Sequence, residues 1–457
     1  MSNPAAQSMQ APMSPELKQW RLKVFTSTWL TYFGLYFCRK AFYAVKGTLA
    51  EDLMIDETQL GYIGFTYLLC YTIGQFTAAG TGRIFGARNL LLIGMATSLI
   101  TNIIFGFAAN VWTITVFMGV NGLAQATGWP STVGVMANWT TRSERGTLMG
   151  VWATCYQFGG VAATAWAAWW LSMQGWRGAF FAASSILMLI WFYVYFFVRN
   201  KPEDVGLTLD DPDEQAAPDP DNVDSTDNEI ADDGKMFSSG VLQTVLLVGS
   251  FYFFVKFVRY ALWSWAPFLL DTQFGLDADT AGYMSTLFDL FGFAGALTAG
   301  VVSDRYFNGR RTTISILMLM GMVVGCSVLY WAGTMASNPA FGSDLVLLTC
   351  GVGLSMIGFM LFGPDSLLTG AGAMDLGSKK SALAAAGIIN GMGSVGSMAQ
   401  EIILPKVMEY SKDGVEFAGI GFTATEATFA VLIVASMLSI FPLLIVRMRN
   451  QQGKSDL

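Results

Sequence analysis

No histidine occurs anywhere in this chain of 457 residues, which removes the commonest imidazole metal ligand, general base and pH switch together. Ser-His-Asp and Cys-His nucleophilic arrangements are excluded with it. The five cysteines, Cys38, Cys70, Cys155, Cys326 and Cys350, lie inside apolar runs without CxxC spacing, so neither a disulfide framework nor a thiolate metal site is indicated. Charge is scarce too: Asp, Glu, Lys and Arg make up 13% of the residues, against roughly 25% in soluble domains. No enzyme chemistry, metal or cofactor is indicated, and nothing points to nucleic acid. With 53% apolar residues, the chain has the wrong surface for water.

A lipid bilayer is the alternative solvent. Its hydrocarbon, about 30 Å thick, is crossed by roughly 20 apolar residues in a helix, and such runs recur here with short polar joints. Twelve are read, over 22–48, 58–80, 88–108, 111–137, 146–170, 177–198, 241–270, 279–302, 312–333, 343–368, 380–407 and 422–446. The N-terminus passes through Lys18, Arg21 and Lys23 into a run longer than the apolar region of a signal peptide, so that run stays in the membrane. The expected class is an all-α membrane protein of twelve helices.

Acid is concentrated in one place. Residues 201–240 hold 13 of the 33 acids against two lysines, a balance of −11 that leaves the rest of the chain at +4. The stretch DDPDEQAAPDPDNVDSTDNEIADDG cannot bury enough apolar surface to order itself and reads as a flexible linker. It divides an N-terminal six-helix half, 1–200, from a C-terminal one, 241–457. Short loops at alternate ends sort by charge: Arg83 and Arg88, Arg142 and Arg145, Arg199 and Lys201, Arg305, Arg310 and Arg311, Lys379 and Lys380, Arg447 and Arg449. The positive-inside rule puts these, both termini and the linker in the cytoplasm. The opposite loops carry mostly acids, with Arg177, Lys406 and Lys412 as exceptions.

Polar landmarks reveal an internal repeat. Arg39 and Arg259 are 220 residues apart, and the loops at Arg83 and Asp304 are 221 apart; Gly128-Trp129-Pro130 and Phe362-Gly363-Pro364 are offset by 234, and Arg145 and Lys380 by 235. One insertion of about 14 residues after the ninth span accounts for the change. Two six-helix halves in parallel order are what the major facilitator fold requires, with substrate near the midplane between them.

A charge at bilayer depth costs roughly 2.5–3.5 kcal/mol on insertion scales, so each needs a reason. Arg39 and Arg259 lie well inside the first and seventh spans, and arginine cannot escape the cost by losing its proton. Tyr32, Tyr36 and Arg39 share one helix face; Tyr252, Lys256, Arg259 and Trp263 share another. Guanidinium forks match phosphate or carboxylate oxygens two at a time. Two of them at equivalent places point to a shared central anion. The alternative is that each is neutralised by a fixed acid, Asp289 or Glu401 being the candidates, and Lys256 is either a further anion ligand or a partner of Asp289. Gly128, Pro130, Gly363 and Pro364 read as bends, and Gly159, Gly160, Gly393 and Gly396 as sites of close helix approach.

The stretches YFGLYFCRKAFYAVKG, NGLAQATGWPS, VRYALWSWAPFLL, GVVSDRYFNGRR and FGPDSLLTGAGAMDLGSKKS resemble the organophosphate:phosphate antiporter family of the major facilitator superfamily, across nearly all the chain outside the tails and linker. RKAFYAVK, and DLGSKKS followed by IINGMGSVGS, look closest to its sugar-phosphate exchanger branch. By that resemblance Arg39 and Arg259 match the two phosphate-binding arginines and Lys40 the adjacent base. Tyr32, Tyr36, Tyr71 and Trp129 fall at cavity-lining positions, and Asp289 at an acid able to pair with the site's charges. Tyr156 stands where the family's glycerol-3-phosphate antiporter has a histidine, and Gln75 where it has a lysine, so substrate identity does not transfer. GVVSDRYFNGRR resembles the facilitator loop signature, which makes Asp304, Arg305 and Arg310, with Gly300 and Arg311, candidates for a gating latch; its first-half counterpart has Arg83 in place of the acid.

The resemblance implies a monomeric carrier in the cell's inner membrane that exchanges an organic phosphate (sugar phosphate, glycerol-3-phosphate or phosphoglycerate) for inorganic phosphate by rocking of its halves. A transporter-like sensor of sugar phosphate and a facilitator for carboxylates remain the alternatives.

Overall fold

The computed structural model describes residues 13–141, 148, 151–152, 154–209, 239–307, 311–338, 340–368, 379–417 and 420–452, with the side chains of 78–84, 239, 304, 379–387, 417 and 420 outside that set. Most of the acidic linker, Arg142, Arg145 and Arg310 therefore lie outside the described residues. The helices are α1 Pro15–Ala44, α2 Lys46–Leu53, α3 Glu57–Phe85, α4 Ala87–Gly106, α5 Val111–Ala126, α6 Gly128–Trp139, α7 Thr154–Phe197, α8 Ser239–Thr272, α9 Ala278–Tyr306, α10 Arg311–Ala336, α11 Ser343–Ser366, α12 Lys379–Tyr410 and α13 Ala424–Gln451.

Local chemistry sets where these begin and break. Ser14 caps α1 by accepting the Leu17 N–H at 3.2 Å, with Pro15 in the first turn. Asn110 caps α5 through the Thr113 N–H, and Thr423 and Glu426 form a capping box at α13. Inside α7, Gly175 has φ 69° and ψ −174°, a conformation glycine alone adopts without penalty. It divides α7 into two arms, where the fifth and sixth spans are expected. At Thr127 the chain passes from α5 to α6, so the fourth span consists of two helices end to end.

Seven of the described helices, α4, α7, α8, α9, α10, α11 and α13, have the length and apolarity to cross a membrane. Helices α1, α3 and α12 match them in length at 30, 29 and 32 residues, and two of these carry charge along the way, Arg39 and Lys40 in α1 and Glu401 in α12. With α5–α6 as one crossing and α7 as two, the helices accommodate the twelve expected spans. Two details differ from expectation. The first span, read to 48, ends at Ala44 and turns at Val45 into the short α2. Between α12 and α13 the chain forms an antiparallel hairpin, Val415–Phe417 with Ile420–Phe422, the only strands among the described residues.

Helix α1 packs on α7 as α8 packs on α12, and α3 packs on α5 as α9 packs on α11. The two sets meet where α9 lies against α7 and α12 against α3. Glycine makes some of these approaches possible. A Cβ on Gly396 would lie 2.1 Å from the Phe253 carbonyl oxygen, and one on Gly358 would lie 2.2 Å from that of Phe288. Without a hydrophobic force between helices in lipid, such backbone proximity is a main source of association. Two of the three basic residues that ran against the acidic loops meet an acid here: Arg177 bonds Asp52 at 2.8 Å and Lys412 bonds Glu57 at 3.1 Å. The hydrogen bond from Arg177, with another from the Trp176 indole, holds the Asp52 carboxyl below its ordinary value.

Replacing Gly396 by Leu is expected to destabilise the α8–α12 contact by at least the cost of overpacking, about 1–3 kcal/mol, and Gly396→Ala by less. Melting of the detergent-purified protein followed by intrinsic fluorescence checks this; an unchanged transition for Gly396→Leu would contradict the packing.

Candidate functional site

Arg39 and Arg259 line the same cavity, of about 40 Å³, together with Tyr36, Tyr67, Tyr71 and Trp263. That is room for about three waters, so an extended phosphoester needs the helices to move apart. Its walls come from α1, α3 and α8, helices distant in sequence.

The two arginines are held in different ways. Arg39, buried in α1, donates from Nε to Gln125 Oε1 at 2.8 Å, and its guanidinium carbon lies 4.9 Å and 5.2 Å from the ring centres of Tyr36 and Tyr71. Tyr67 donates to the same Gln125 oxygen at 3.3 Å. Behind it, Gln125 Nε2 donates to Ser98 at 3.0 Å, Ser98 donates to Asn121 at 2.7 Å, and Asn121 and Asn102 both donate to the Cys38 carbonyl at 3.1 Å. This network fixes the guanidinium without neutralising it. Among the described residues no acid pairs with Arg39, and its buried Nη2 has no hydrogen-bond partner. Such a group costs free energy until an acceptor arrives.

Arg259 instead forms an ion pair with Asp365 of α11 and lies over the Phe362 ring at 4.3 Å. Neither acid weighed from the sequence as its neutraliser takes that place. Asp289 pairs with Lys40 at 3.2 Å, and Lys40 Nζ also stands 4.4 Å from the Trp263 ring centre. Glu401 faces Lys46 at 3.6 Å, with Ser264 donating to its carboxylate at 2.5 Å and accepting from Lys46 at 2.8 Å. Lys256 does not meet Asp289; it donates to Asn390 at 2.9 Å and stands 4.9 Å from the Tyr252 ring centre.

Tyr32, Trp129 and Tyr156 are not among the residues lining the arginine cavity; beside Tyr36 they form an aromatic cluster of their own. Their ring centres are 5.8 Å (Tyr32–Trp129), 5.6 Å (Tyr32–Tyr156) and 6.0 Å (Trp129–Tyr156) apart, and Trp152 packs among them. Of the latch candidates, Asp304 and exposed Arg305 fall in the last turn of α9. The Asp304 side chain and Arg310 lie outside the described residues, as do the side chains of Arg83 and Lys380.

Sequence reasoning passed over Asp365, Gln125 and Tyr67. A signal for the first two was present: Asp365 is a carboxylate inside the run 343–368 and Gln125 an amide inside 111–137, so the depth argument applied to the arginines flags them too. Tyr67 carries no such signal, being one of several tyrosines in its helix.

The Lys40–Asp289 pair joins α1 to α9 beside Gly160, whose added Cβ would lie 3.3 Å from the Asp289 carboxylate. Removing one partner of a buried pair strands the other charge, at about 3–5 kcal/mol, whereas replacing both by apolar groups is often neutral. Lys40→Met and Asp289→Leu are therefore each expected to lower the melting temperature, and the double variant to recover most of the loss. Additive losses in the double variant would contradict a direct pair.

Comparison with known proteins places this architecture. Residues 28–400 match the family model described as Major Facilitator Superfamily. The chain is 30% identical over 407 residues to a probable hexose phosphate transport protein of Chlamydia trachomatis, covering 86% of both chains. It is also 30% identical over 395 residues to the glycerol-3-phosphate transporter of Bacillus subtilis, covering 85% of this chain and 86% of that one. Among solved structures, a bacterial homologue of the human lysosomal transporter Spinster superposes with a TM-score of 0.67 at 13% identity, over 96% of this chain and 99% of the other, which speaks to the fold. The extent of these matches, on a bundle whose two buried arginines share one cavity, makes the chain a member of the Major Facilitator Superfamily, in its organophosphate:phosphate antiporter branch.

Proposed function

We propose that the protein exchanges a phosphate monoester for inorganic phosphate across the cytoplasmic membrane, with the phosphoryl group held between Arg39 and Arg259. The observation that carries this reading is Arg39: a permanent, buried cation oriented by neutral acceptors, with one terminal nitrogen left without a partner beside a second guanidinium. A tetrahedral oxyanion satisfies both forks and the tyrosine hydroxyls in a dry site, where charge-assisted bonds are strongest. Its relatives are named for hexose phosphate and glycerol-3-phosphate, which supports a phosphate ester over a carboxylate.

In this reading, residues 1–200 and 241–457 rock about the site while 201–240 links them in the cytoplasm, where both termini also lie, and the monomer is the working unit. Closing the cavity without an anion would bury uncompensated cations, a costly step. Return of the carrier is therefore fast only when loaded, which makes the process an exchange with inorganic phosphate. Tyr32, Trp129 and Tyr156 form the wall for the organic part of the ester, and Asp304, Arg305 and Arg310 the cytoplasmic latch.

Counterflow of radiolabelled phosphate into phosphate-loaded proteoliposomes tests the proposal. Arg39→Lys and Arg259→Lys each lose the bidentate fork and are expected to slow exchange about a hundredfold, equivalent to about 3 kcal/mol, with an unchanged gel-filtration profile. Full exchange in both variants would refute it, and inhibition by simple dicarboxylates rather than by phosphate esters would favour a carboxylate carrier.

A further inference from the structure

We infer that Asp365 sets the charge of the cargo, so that the site takes phosphate monoesters whose only charge is the phosphate and discriminates against those bearing an additional carboxylate. The inference rests on the transport reading above and deepens it.

It follows from a census of buried charge. Among the described residues, the charged side chains of the helical interior are Arg39, Lys40, Lys46, Lys256, Asp289, Asp365 and Glu401, to which the partly exposed Arg259 is added. Five cations face three carboxylates. The carboxylates are all engaged, Asp289 with Lys40, Glu401 with Lys46 and Asp365 with Arg259. Arg39 and Lys256 remain, each bonded to a neutral amide oxygen, Gln125 and Asn390. Among the described residues the interior thus carries two positive charges in excess.

A phosphate monoester at neutral pH carries about −1.5 to −2 charges, and its dianion brings the closed site to neutrality. An ester with a carboxylate as well carries nearly one more negative charge and would leave an unpaired anion in a cavity that must close around it, the costly situation in a dry interior. Among the three acids, Asp365 is the one that decides this. Glu401 and Lys46 are almost fully buried with Ser264, and the arginine cavity is lined by neither; Asp289 is spent on Lys40. Asp365 alone sits on a guanidinium that lines the cavity, so cargo and carboxylate compete for the same cation. Without the Asp365 charge the excess rises to three, and the carboxylated ester becomes the one that balances it.

The test compares two competitors of nearly equal size, glycerol 3-phosphate and 3-phosphoglycerate, as inhibitors of phosphate:phosphate exchange in proteoliposomes. The unaltered protein is expected to favour glycerol 3-phosphate by roughly tenfold or more, Asp365→Asn to erase or reverse that preference, and Asp365→Glu to keep it. Lys256→Met changes the count in the opposite direction and is expected to widen the preference, which secures the test should Asp365→Asn fail to fold. Equal inhibition by the two esters in the unaltered protein overturns the inference while leaving phosphate exchange standing. So does a preference unmoved by Asp365→Asn or, where that variant does not fold, by Lys256→Met. Absence of any phosphate exchange in the unaltered protein overturns the transport reading and this inference with it.

Discussion

The positive charge of Arg39 constrains everything around it. Arginine stays protonated at any pH a cell offers, so a guanidinium in the middle of a helix bundle is a permanent electrostatic debt that its surroundings must offset. An acid would discharge it and close the site to other anions. The protein instead surrounds it with Gln125 and the rings of Tyr36 and Tyr71, backed by Ser98, Asn121 and Asn102. These groups orient the fork and lower its cost through dipoles and ring quadrupoles, yet leave the charge available. The polar residues buried in α4 and α5, otherwise hard to justify in an apolar helix, have this as their reason.

The remaining buried cations are treated differently, and the difference tracks the two ends of the chain. Lys40 of α1 and Lys46 of α2 reach acids on α9 and α12, so two of the three buried ion pairs among the described residues tie the first helices to helices beyond residue 241. In lipid, where no hydrophobic force draws helices together, such pairs fix how the two groups of helices sit against each other. Any opening between them must part these charges or admit water to them. Under the proposed function the transport cycle would have an energetic handle separate from the arginines: cargo would compensate Arg39, while the ion pairs would define which closed arrangement is favoured.

Much of this was legible in the sequence, and for a physical reason. Hydrocarbon thickness fixes span length, so apolar runs gave the helices, and the cost of burying charge singled out Arg39 and Arg259, which share one cavity. What the sequence left open was pairing. Asp289, Glu401 and Asp365 lie in three different apolar runs, and nothing in the linear order says which meets Arg259; that depends on the rotation of each helix, set by contacts such as Gly396 on Phe253 and Gly358 on Phe288. The turn at Val45 and the hairpin 415–422 escaped for the opposite reason, because segments this short carry little periodic signal.

Pairing in turn decides how the two arginines divide their work despite their matching places in the repeat. Had both been paired, the cavity would hold no net charge to attract an anion; had neither been paired, closing without cargo would cost twice over and a monoanion would suffice for neither. One compensated and one uncompensated guanidinium, with Lys256 on a neutral amide, is a compromise; under the proposed function the unpaired fork would draw the phosphoryl group and the paired one would yield only to an acceptor strong enough to share it with Asp365. The asymmetry between α1 and α8 is therefore not a blemish on the repeat. Under the proposed function it is what would let a symmetric scaffold distinguish a loaded site from an unloaded one.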